Sequence, residues 1–116
     1  MAYDLYLAER VRLQLAMVPN VEIYEKKMFG GIAFMVNDKM CINITKDRLM
    51  CRYDPGREEE VSLRTGFQLM KMRGKTIKGY CYVNADGFED EEALNYWVEL
   101  CLEFNPRAKI SKKRKK

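Results

Sequence analysis

The chain contains no histidine. That absence removes the commonest general base, the Ser-His-Asp and Cys-His catalytic pairs, and every histidine metal ligand or proton shuttle. Cys-x-x-Cys pairs are missing too. The four cysteines are Cys41, Cys51, Cys81 and Cys101. A zinc site would need all four thiolates to converge, and their spacings fit no common zinc pattern. The expectation is four buried thiols, three on strands and one on the last helix, with no metal and no cofactor. No apolar run approaches the roughly 20 residues of a membrane helix. Met1-Ala2-Tyr3-Asp4 has neither the basic nor the apolar region of a signal peptide. No membrane partner and a cytoplasmic location are therefore expected. No internal repeat is found. The prolines are only Pro19, Pro55 and Pro106, each at the end of an apolar pattern.

What is present reads as one globular domain with a modest core. The chain has 116 residues, 47% apolar and 33% charged. The net charge of +4 hides an asymmetry. From residue 105 onward lie Arg107, Lys109, Lys112, Lys113, Arg114, Lys115 and Lys116, seven bases with no acid. Residues 1–104 hold fourteen bases against seventeen acids, a net of −3. The body is mildly acidic. The stretch 105–116 reads as a basic, disordered tail.

Periodicity orders the body. Asp4 caps a first helix running to about Met17, with Leu5, Ala8, Val11, Leu15 and Val18 as its apolar face. Val21 to Phe29 alternates as an edge strand, with Lys26-Lys27 discouraging pairing. Gly30-Gly31 reads as a bend or bulge entering the strand Ile32 to Val36. It is a poor phosphate cradle, because a strand follows rather than a helix. Asn37-Asp38 turns the chain into Met40 to Ile44, with Met40, Ile42 and Ile44 on one face and Cys41 and Asn43 on the other. Arg48 to Tyr53 places Leu49, Cys51 and Tyr53 opposite Met50 and Arg52. A short helix spans Arg57 to Arg64. Its Glu58, Glu59 and Glu60 suit a helix N-terminus better than a metal, since helical neighbours splay apart. Strands Phe67 to Met72 and Thr76 to Asn84 follow. A last helix from Asp90 to Phe104 carries Ala93, Leu94, Trp97, Val98, Cys101 and Leu102 on its apolar face.

That order predicts a two-layer α+β domain over residues 1–104, a twisted antiparallel sheet of five to six strands covered on one face by N- and C-terminal helices. Helices on one face leave the other to show Tyr80, Tyr82 and some of Met50, Met72 and Phe34, among Lys78 and Arg52. Such a patch predicts an interface, here a homodimer through this face or an edge strand. Tyr80 and Tyr82 are the interface candidates. Aromatics among Lys and Arg on a sheet also suit unpaired bases. The tail bases Arg107, Lys109, Lys112, Lys113, Arg114, Lys115 and Lys116 suit phosphates without sequence preference.

Lys27-Met28-Phe29-Gly30-Gly31, followed by Ile32-Ala33-Phe34 and Lys39-Met40, resembles the opening hairpin of the TfoX N-terminal domain family. Gly79-Tyr80-Cys81-Tyr82-Val83, with Ala93-Leu94 and Trp97-Val98, resembles that family's closing strand and last helix. The resemblance runs from about Leu7 to Phe104. It rests on Lys27, Met28, Phe29, Gly30, Gly31, Gly79, Tyr80 and Trp97. Phe29 and Trp97 are expected in the core, Lys27 and Tyr80 at the surface. The turn reads Asn37-Asp38-Lys39 where the family often has Asp-Gly. The helical second domain of full-length competence regulators has no counterpart in these residues. The resemblance implies a fold similar to the type III secretion chaperones, whose members often dimerise. The expected function is a non-enzymatic regulatory or protein-interaction module. The alternatives are a nucleic-acid-associated regulator acting through the tail, and an enzyme using Cys, Tyr or a carboxylate cluster.

Overall fold

The structure is a computed structural model, and it describes residues 3–108. Helix α1 spans Leu5–Leu15. It starts where Asp4 accepts hydrogen bonds from the Tyr6 and Leu7 backbone N–H groups at 2.9 and 3.1 Å. Its buried face is Leu7, Ala8, Val11 and Leu15. Leu5, expected on that face, is 55% exposed. Each step of three residues lags a helical turn by about 60°, so Leu5 falls well off a stripe centred on Val11.

Six strands follow: β1 Ile23–Met28, β2 Gly31–Val36, β3 Lys39–Thr45, β4 Arg48–Arg52, β5 Phe67–Met72 and β6 Lys75–Val83. The short helix α2, Glu58–Val61, separates β4 from β5, and helix α3, Glu91–Phe104, closes the fold. All strand pairs are antiparallel, in the order β1-β2-β3-β4-β6-β5. β1 and β5 are therefore the edges.

Three of the hairpins turn on two residues with positive φ: Phe29-Gly30, Asn37-Asp38 and Arg73-Gly74. This is the turn whose twist matches paired strands. Of the bend or bulge expected at the glycine pair, the structure shows a bend. Gly30 is the second loop residue, and Gly31 is already in β2, paired with Met28. Phe29 sits at the tip of the loop and is 47% exposed, not in the core.

Two irregularities bend the sheet. Phe34 pairs with Ile42 and Met35 with Met40, so Cys41 is an extra residue in β3. Cys41 and Ile42 then both pack in the core beneath the helices, while Met40 joins the opposite face. The strict alternation expected for β3 fails at that bulge. The second irregularity lies in β6, where Leu69 pairs with Cys81 but Lys71 with Thr76. Gly79 has φ +82° there and accepts from the Tyr53 N–H at 2.9 Å.

The main core lies between the sheet and helices α1 and α3, with Phe34, Ile42, Ile44, Leu49, Tyr53 and Trp97 among its buried members. Trp97 is anchored by its indole N–H donating to the Gly87 carbonyl at 3.0 Å. Asp90 caps α3, accepting from the Ala93 N–H at 2.7 Å. In α3, Leu100 is buried while Leu102 and Ala93 are half-buried. Chain packing continues past Phe104. Asn105 is buried and donates to the Val36 carbonyl at 3.2 Å, and Ala108 is buried as well.

Candidate functional site

The sheet face away from the helices is not the open aromatic patch that alternation suggests. Ala33, Met35, Met40, Met50 and Met70 are buried there as a second apolar cluster, with Met28, Tyr80 and Tyr82 packed against it. Phe34 is on the opposite face, in the main core. Met50 is fully buried, and of the methionines expected at the surface only Met72 is exposed, at 48%. Tyr80 and Tyr82, the interface candidates, are half-buried. The Arg48 guanidinium lies 3.7 Å from the centre of the Tyr82 ring, and that of Arg52 5.7 Å from the Tyr80 ring. Arginine stems and heads thus roof the face. Asn43, also buried, donates to the Met28 carbonyl at 3.2 Å and accepts from the Thr45 hydroxyl at 2.8 Å. Twist and bulges fold this surface onto itself, which no strand shows alone.

The family-motif residues do not assemble into one site. Lys27 is exposed on the β1 edge, and Phe29 and Gly30 form a loop tip. Met28 and Tyr80 meet at the methionine cluster. Gly79 kinks β6, and Trp97 lies in the other core. The glycines among them serve backbone geometry. A Cβ on Gly31 would meet the Ile44 carbonyl oxygen at 1.9 Å.

All four cysteines are free and buried, as expected. They also touch, which their spacing did not predict. Cys41 and Cys51 lie against Cys101, and Cys51 against Cys81, its cross-strand partner. The contacts form a row from β3 through α3 and β4 to β6. Among the described residues, no three Cys, Asp or Glu side chains surround a point as metal ligands do. Contact with Cys101 and then burial push the Cys41 thiol up, and burial does the same to Cys51. Both thiols are poor nucleophiles.

The Glu58–Glu60 run also disperses. Glu58 accepts from the Tyr53 hydroxyl at 2.7 Å, while Glu60 pairs with Arg57 and accepts from the Tyr96 hydroxyl. Burial first, and then the Glu58 contact, push the Tyr53 phenol far above its ordinary 10.0. A phenol raised in the folded state contributes stability that is complete below the unfolded value and is lost as pH rises past it. Urea denaturation should therefore show stability falling above about pH 10. Tyr53→Phe should flatten that alkaline decline, and an unchanged slope would remove Tyr53 as its source.

Of the tail bases, Arg107 is described. It pairs with Asp54 at 2.9 Å and lies over the Phe104 ring. Lys109, Lys112, Lys113, Arg114, Lys115 and Lys116 lie outside the described residues.

Two surfaces were not located by the sequence, which allowed an interface on an edge strand without saying which. One is the β5 edge, where Leu69 and Met72 are each 48% exposed. The other is a groove of about 890 Å³ between the end of α1 and the flank of α3. Met17, Val18, Pro19 and Leu102 give it an apolar lining, and Glu91, Glu92, Glu99 and Glu103 an acidic rim. The glutamates were visible as α3 residues. Their approach to Met17 and Pro19 depends on how the two helices pack.

A six-stranded antiparallel sheet with its terminal helices on one face defines a two-layer α+β domain. Within that class, the chain belongs to the TfoX N-terminal domain family, which it matches over residues 14–105. No curated protein matches the chain. Among the described residues, no helix is long and apolar enough to cross a membrane.

Proposed function

We propose that this chain is a non-enzymatic regulatory module that works by protein contact and pairs with a second copy of itself through the β5 edge. Membership of the TfoX N-terminal domain family supports a regulatory type of module. The observation that carries the contact reading is the β5 edge itself. It is an outer strand of the sheet, with Leu69 and Met72 exposed along it. Exposed apolar residues on an edge favour strand pairing, and within β5 Lys71 is the one base. The β1 edge is better guarded, with Lys27 exposed and Glu25 held by Arg12. Against catalysis stand the burial of every thiol and the engagement of Glu58 and Glu60 in internal contacts.

Sedimentation equilibrium tests this reading. The chain should sediment as a dimer, and Leu69→Lys as a folded monomer with unchanged circular dichroism. Edge charge blocks strand addition, and an exposed site tolerates the change within about 0.5 kcal/mol. A monomeric wild type, or a dimer untouched by Leu69→Lys, would exclude the β5 edge as the contact.

A further inference from the structure

We infer that the groove between α1 and α3 is the docking site for this chain's own basic tail, residues 109–116. Helix α3 contains Glu91, Glu92, Glu99 and Glu103 and no base, and all four line the groove. Residues 109–116 contain six bases and no acid. Charge complementarity of this kind brings the two surfaces together.

Two of the four glutamates are free to receive the tail. Glu91 is paired with Arg10, and Glu103 with Arg57. Glu92 and Glu99 make no ion pair among the described residues. The apolar lining fits as well. Lysine and arginine stems lie along surfaces such as Met17, Pro19 and Leu102 while their charged heads reach the rim.

The chain has the length to do this. The described chain ends at Ala108, just past α3, where Lys39 holds the Asn105 and Pro106 carbonyls at 3.2 and 3.1 Å. The eight residues beyond can extend about 26–29 Å. Running back along α3 from Glu103 to Glu91 covers about 18 Å. Each exposed ion pair is weak alone. The tether converts docking into an intramolecular event at an effective concentration near millimolar, so several weak contacts suffice. A docked tail withholds its bases from any external anion, and salt releases it.

Paramagnetic relaxation measured on the full chain tests this. Ser111→Cys carries a nitroxide label, and the four native thiols are buried. At low salt the amides of Glu92, Asn95 and Glu99 should lose most of their intensity. They should recover in about 0.5 M salt, where the Debye length shrinks to a few ångströms. They should also recover in a Glu92→Gln/Glu99→Gln variant, whose exposed sites leave the fold intact. Full intensity at those amides in low salt would overturn the proposal, as would broadening centred on the opposite sheet face. Mixing isotope-labelled chains with spin-labelled, unenriched chains separates the remaining occupant. Broadening equally strong in that mixture would assign the groove to the tail of a second copy and overturn intramolecular docking.

Discussion

Gly31→Ala should destabilise the fold by about 3 kcal/mol or more, at the upper end of overpacking costs. The added methyl would sit 1.9 Å from the Ile44 carbonyl oxygen and 2.9 Å from its carbon. Both obstacles are backbone atoms of the paired strand β3, so no side chain can turn aside. Relief requires β2 and β3 to part, and these are central strands. Gly30→Ala is the control. Nothing lies within 4 Å of a Cβ there, and only the positive φ of 72° opposes the change. That cost is about 1–2 kcal/mol. Adjacent glycines in one motif thus differ in kind: one serves the turn, the other the contact between strands. Urea midpoints of the two variants measure the difference. Equal losses would show that close approach at Gly31 is not what demands glycine.

Met50→Ala should cost about 2–5 kcal/mol, the usual range for truncating a core methionine. Met50 is fully buried between Met40, Met70 and the tyrosines of β6, on the sheet face without helices. If that face were a surface patch, the substitution would change stability by no more than about 0.5 kcal/mol. Met72→Ala, at a residue 48% exposed, supplies that comparison within one protein. A near-zero effect at Met50 would mean that the second cluster contributes nothing, and the face would return to consideration as a binding surface. A large effect makes the domain one with two cores and removes that face from consideration as a binding surface.

Much of the architecture could be read from local pattern. Alternation in Arg48 to Tyr53 placed Leu49 and Cys51 opposite Met50, as observed. Asp4 was a recognisable cap because a carboxylate before an apolar period meets free backbone N–H groups. The family motif was legible as well, and its glycines serve turns and close strand contact. Failures came where one element depends on another. The bulge at Cys41 exists only in the pairing of β3 with β2, so alternation within β3 misplaced Cys41 and Met40. Phe29 looked like core because it is aromatic, yet a two-residue hairpin loop lifts it to the surface.

By itself the sequence determined the element order, the antiparallel meander, the cap of the first helix and the separation of an acidic body from a basic tail. Each of these follows from interactions among near neighbours along the chain, or from composition. Only the tertiary structure decided that the second sheet face buries itself, that four dispersed cysteines meet in a row, and that the α3 glutamates rim a groove against α1. Those outcomes depend on twist, register and helix packing. Such terms join residues far apart in the chain, and no local period records them.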